Sequence, residues 1–161
     1  QFAILLAVFL VYLVMASQFE SLVQPLIIMF AIPFALIGVA LALYLTGLVL
    51  SVVVLIGGVI LAGIVVNNSI VLIDFTNKLR GQGKDKFQAI QEACAVRLRP
   101  ILMTTSTTVL GLIPMAVSLG EGSELRVPMA VTVIGGLMTS TLLTLALVPV
   151  LYTLMTSEKK A

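Results

Sequence analysis

Asn67 and Asn68 stand side by side in "IVVNNSIVLIDF", residues 64–75, deep inside a long apolar run, and Asp74 follows in the same stretch. A carboxamide placed in hydrocarbon leaves both donors and acceptors unmet, so polar residues in such runs face protein or water rather than lipid. Gly63, Asn67 and Asp74 are spaced by four and seven residues and share one helical face, with Asn68 about 100° round from Asn67. A second set follows in "RLRPILMTTSTTVLG". There Arg97, Thr104, Thr108 and Gly111 form one stripe, and residues 104–108, including Thr105, are hydroxyl-bearing without a break. Amide, hydroxyl and guanidinium groups suit a neighbouring acid that takes up and releases a proton, but none of them titrates in that role. The apolar segments hold no acidic residue near their midpoints. Either the acid comes from another part of the molecule or this chain does no coupling.

Simpler accounts stand beside this one. Membrane Ser and Thr hydroxyls often bond their own helix carbonyls, and Gly136, Ser140 and Thr144, spaced by four, read as a packing seam. Gly58, Ala62, Gly63 and Gly111 are likewise small enough to let another helix approach. Asp74 precedes Lys78 by four residues, and that pair explains it as structural. Arg97 and Arg99 also serve as basic anchors at a membrane surface.

These residues must be held by membrane helices. The chain has 161 residues, of which 60% are hydrophobic and 10% charged, with a mean hydropathy of +1.22. A soluble domain carries about 25% charged residues, so the class is an all-α, polytopic membrane helix bundle. Spans of roughly 20 apolar residues fall at 1–17, 25–46, 50–77, 100–119 and 127–156, with an amphipathic surface helix at 84–97. The first span reads as a helix entered part-way, and the whole as a piece of something longer. Pro25 suits a first helical turn, and Gly47 suits a helix C-cap. Cys94 has no partner for a disulfide, and histidine is absent. There is no nucleophile paired with a base, no metal-ligand set and no cofactor loop, so neither an enzyme nor a cofactor or metal site is expected.

Charge sets the orientation. Lys78, Arg80, Lys84, Lys86, Arg97 and Arg99 crowd the 78–99 connection, and Lys159 and Lys160 close the chain two crossings later. Only Arg126 lies on the other side, beside Glu121 and Glu124. The excess places the long connection and the C-terminus in the cytoplasm and the first residue outside it.

The order "NNSIVLIDF", then a basic helix ending in "RLRPILMTT", then "LGLIPMAVSLGEGSELRVPMAVTVIGGLMTSTLLTLALVPVLY" resembles the resistance-nodulation-division efflux transporters, in their multidrug branch. The likeness reaches back through "ASQFESLVQPLIIMFAIPFALIGV" and covers the whole chain as the last five helices of a twelve-helix protomer. It implies a homotrimeric inner-membrane pump driven by proton influx, which hands amphiphilic compounds to a periplasmic adaptor and an outer-membrane channel. In that family the proton-binding aspartates lie in the first half, and their second-half partners are a lysine, an arginine and a threonine. Carried onto this chain, the lysine position falls on Asn67, beside Asn68, the arginine on Arg97 and the threonine on Thr104. Asn67 departs from the pattern, because an amide offers no cation to a deprotonated carboxylate. The competing readings are a non-transporting helical scaffold, and a relative that moves lipid or protein or uses another ion. Nucleic acid is not an expected partner.

Overall fold

The computed structural model describes residues 2–155, all built from helices and the turns between them. They are α1 (Phe2–Phe19), α2 (Val23–Thr46), α3 (Val52–Gly81), α4 (Lys86–Ala116) and α5 (Ser123–Met155). Three of them, α2, α3 and α5, are long and apolar enough to cross a membrane, and Val8–Phe19 within α1 is a shorter apolar helix. α4 carries charges through its first half and hydroxyls through its second, which lowers its apolarity. Lys159, Lys160 and the expected end of the last span at 156 lie outside the described residues.

Local chemistry sets the helix ends. Gly47 closes α2 in the left-handed region at φ 68°, and its N–H reaches the Leu43 carbonyl. A residue with a side chain is strained there, which is why glycine ends this helix. Ser51 opens α3, its hydroxyl oxygen accepting from the Val54 N–H at 3.4 Å. α3 then runs past 77 to Gly81, with Lys78 and Arg80 in its last turn, where positive charge faces the negative end of the helix dipole. In the turn before α5, Arg126 folds back and donates to the carbonyls of Glu121 at 2.6 Å and Gly122 at 3.3 Å.

Where the sequence separates a surface helix at 84–97 from a span at 100–119, the structure has one continuous helix. Pro100 removes one hydrogen bond but fixes a φ that suits a helix. The buried stripe of Ala89, Ala93, Ile101 and Thr105 passes straight through it, with Arg97 in the same register. Packing along that stripe holds the two halves together.

α5 is the central helix, in contact with α2, α4 and α3, while α1 leans on α2. One apolar core joins Ile27, Ile28, Leu72, Ile73, Ile90, Val148 and Tyr152; a second joins Ala35, Val39, Leu61, Val65 and Leu137. The close approaches use Gly136, as expected, and other glycines in place of Gly58, Gly63 and Gly111. Gly136 lies against Leu61 and Val39, Gly57 against Thr132, and Gly38 against Thr139 and the Gly135 carbonyl. Gly58, Gly63 and Gly111 meet no atom within 4 Å of where a Cβ would stand. The reason is rotation. The buried face of α3 runs through Val54, Gly57, Leu61, Val65, Ser69 and Thr76, so Gly58 and Gly63 are turned away from this chain's other helices.

A polar cluster ties one end of the bundle. Asn77 Nδ2 donates to Gln24 Oε1 at 2.8 Å, and Gln24 Nε2 returns a bond to Asn77 Oδ1 at 3.2 Å. The Tyr152 hydroxyl donates to the same Oδ1 at 2.8 Å and accepts from Arg80 Nη1 at 3.2 Å. Lys86 Nζ donates to the Thr153 carbonyl nearby. Gln24 and Tyr152 are buried and Asn77 and Arg80 half-buried, and each finds its partners within the cluster.

Cys94, on the first half of α4, is free and half-buried, and burial pushes its thiol above the ordinary value. Desolvation disfavours the thiolate, which is the reactive form. Maleimide labelling of the folded protein at neutral pH is expected to be slower than for an exposed thiol. Its rate should keep climbing at pH values where an exposed thiol has levelled off, and unfolding in detergent should erase the difference.

Candidate functional site

Arg97 sits on α4 against Phe75 of α3, its guanidinium carbon 4.7 Å from the ring centroid. The side chain is half-buried, and its Nε is shut away from solvent with no hydrogen-bond partner among the described residues. Stacking on the ring compensates part of the lost hydration, but an unmet donor on a buried cation remains costly. Carboxylates are engaged elsewhere: Asp74 pairs with Lys78 at 2.7 Å, and Glu92 with Lys84. Among the described residues Arg97 has no ion-pair partner.

The hydroxyl run divides by face. Thr104 is exposed and donates to the carbonyls of Pro100 at 3.1 Å and Ile101 at 2.9 Å. Thr107 and Thr108 donate to Met103 and Thr104 carbonyls, each at 2.8 Å. Bonds of this kind satisfy the proton of each hydroxyl and leave its oxygen able to accept. Thr105 alone crosses to another helix, its hydroxyl 3.1 Å from that of Thr141 on α5. Ser140 donates to the Leu137 carbonyl at 3.1 Å and Thr144 to that of Ser140, both within α5.

The asparagines separate as well. Asn67 is exposed and Asn68 half-buried, and neither side chain has a hydrogen-bond partner among the described residues. Within this chain the face carrying Asn67 is open, and Ser69 and Thr76 occupy the packed one. Asn68 instead lines a small cleft with Ser69, Leu72, Ile101, Thr144 and Leu145, between α3, α4 and α5. Its volume of about 10 Å³ is enough to seat one water molecule.

The arrangement therefore offers, within the described residues, a cation without an anion, two unmet amides and an outward hydroxyl, all on α3 and α4. Among the described residues no three His, Cys, Asp or Glu side chains gather to hold a metal. Residues 1–156 match the AcrB/AcrD/AcrF family. The chain belongs to that family. It is 44% identical over 150 residues to the multidrug resistance protein MdtC of Citrobacter koseri, covering 92% of this chain and 15% of MdtC. The crystal structure of a heavy metal efflux pump superposes with a TM-score of 0.86 at 37% identity, over 94% of this chain and 15% of that one. The chain thus spans about 15% of the length of the AcrB/AcrD/AcrF-type proteins it matches. The recognition carried by "NNSIVLIDF" and "RLRPILMTT" holds.

Sequence reasoning missed Phe75 as the platform for Arg97, and Thr141 and Leu145 as neighbours of the polar residues. The Arg97–Phe75 pair carries no spacing signal, since its members lie on different helices. Thr141 lies beside Ser140 but outside the spacing of four that links Gly136, Ser140 and Thr144, so no periodic signal singles it out.

Proposed function

We propose that this chain is the C-terminal membrane part of a proton-driven efflux pump in the bacterial inner membrane, supplying the second-half side of the proton relay. The observation that carries the reading is Arg97: a positioned cation whose buried Nε has no partner among the described residues. A carboxylate on first-half helices, in the long part of the protein outside this chain, is the complement such a group requires. Thr104 and Asn67, both exposed here, would be covered by the same helices. Family membership and the likeness to MdtC support an amphiphilic cargo taken up outside this segment. The reading extends to five crossings, with the basic start of α4 lying at the cytoplasmic surface and the 78–99 segment and C-terminus inside. A homotrimer, a periplasmic adaptor and an outer-membrane channel complete the proposed assembly.

Asn67 gives the test its sharpest form. A carboxylate facing amides holds its proton more tightly than one facing an ammonium group, with an opposite charge at close range worth about 1–3 pH units. In proteoliposomes of the full-length transporter, Asn67→Lys is expected to move the pH profile of efflux toward acid by about 1 unit or more. Collapse of the pH gradient should stop efflux in both forms. Efflux indifferent to the gradient would end the proton-driven reading, whatever Asn67→Lys does.

A further inference from the structure

Asn68 brings an unmet carboxamide to the cleft it shares with Ser69, Leu72, Ile101, Thr144 and Leu145. The opposite wall is α5, which contains Pro149. Proline has no N–H, and its ring presses on the carbonyl four residues earlier in the helix. Here that carbonyl belongs to Leu145, itself a residue of the cleft. Two helices thus bring polar residues to one small space: Asn68 from α3 and, from α5, Thr144 and Leu145, whose carbonyl loses its usual helical donor to Pro149. Between them lies the Thr144 hydroxyl, whose proton goes to the Ser140 carbonyl and whose oxygen is left to accept.

We propose that the cleft between α3, α4 and α5 is a water site. One bound water accepts from the Asn68 amide and donates to the Leu145 carbonyl and the Thr144 oxygen. Three bonds are the usual number for a buried water, and the cleft volume fits a single molecule. A sodium ion fits the oxygens in kind but not in charge. No carboxylate lines the cleft, and a cation stripped of water among neutral groups loses more than they return. The site does not depend on the cargo or on the driving ion, so it stands or falls apart from the pump reading. It gives Asn68 a different task from Asn67: it anchors a water between helices, while Asn67 faces outward.

Hydroxyl-radical footprinting of the full-length transporter in detergent tests this, because radicals formed from a held water mark the side chains around it. Leu72 and Leu145 are expected to be modified severalfold faster than the lipid-facing Leu55 and Leu142. Asn68→Leu should bring both down to the lipid-facing level, and Pro149→Ala, which restores a donor to the Leu145 carbonyl, should lower them too. Asn67→Leu should leave them unchanged. The proposal is overturned if wild-type Leu72 and Leu145 are no faster than lipid-facing leucines. It is overturned equally if Asn68→Leu folds with wild-type melting and keeps the labelling. Replacing potassium by sodium should change nothing; labelling lost in sodium alone would mean an ion site instead.

Discussion

Replacing Arg97 by alanine in the full-length transporter is expected to lower proton-coupled efflux by about a hundredfold or more. The estimate follows from the chemistry of a half-made ion pair. Removing one positioned group that stabilises charge in the working step costs about 3–4 kcal/mol, and each 1.4 kcal/mol on a barrier is about tenfold in rate. The fold is expected to survive. Among the described residues Arg97 makes no ion pair, and its buried Nε is unmet, so truncation removes a costly donor rather than a support. Protein yield and melting temperature in detergent should therefore stay near wild type while drug efflux and proton uptake in proteoliposomes collapse together. Arg97→Lys keeps the charge but loses the flat face that stacks on Phe75, and should retain partial activity. If Arg97→Ala pumps and takes up protons normally, the guanidinium has no place in the relay.

Gly38→Val should fail for the opposite reason, by preventing assembly rather than chemistry. A Cβ at Gly38 would stand 2.5 Å from Thr139 Cβ and 2.9 Å from the Gly135 carbonyl oxygen. Thr139 and Gly135 both belong to α5, and a backbone oxygen cannot turn aside as a side-chain end can. α2 and α5 would have to separate along the most extensive helix contact in the chain. A destabilisation of about 3 kcal/mol is expected, read as aggregated or poorly expressed protein and a lower melting temperature. Gly81→Val, where an added Cβ meets nothing within 4 Å, is the control and should melt close to wild type. Equal losses in both variants would mean that the α2–α5 contact is not what these glycines protect.

Helix existence, approximate ends and family were legible in the sequence because each has a local cause. Gly47 and the Asp74–Lys78 pair act over a few residues, and the structure places them as local rules require. What the sequence could not show is which helical face meets which neighbour. Asn67 and Ser69 are two residues apart and both polar, yet one is exposed and the other buried. Periodicity alone gives a face but not its direction when every side of the helix is apolar. Pro100 misled for a related reason: the local rule ends a helix there, while packing of a stripe on both sides carries it through. The Gln24–Asn77–Tyr152 cluster joins three helices across long sequence separations, so nothing near any of its members announces it. On the proposed reading the partners of Asn67, Arg97 and Thr104 lie outside this stretch of chain, where its sequence cannot show them.

The Gln24–Asn77 amide pair has a mechanical side. Sliding α2 along α3 by even a fraction of a helical turn breaks both of its hydrogen bonds at once, in a place where no solvent replaces them. Tyr152 extends the same restraint to α5, and the glycine contacts between α2 and α5 resist a shift farther along. These three helices form a stiff lever. α4 stands outside this tie: it packs on α5 and α3 but shares none of the Gln24–Asn77–Tyr152 bonds.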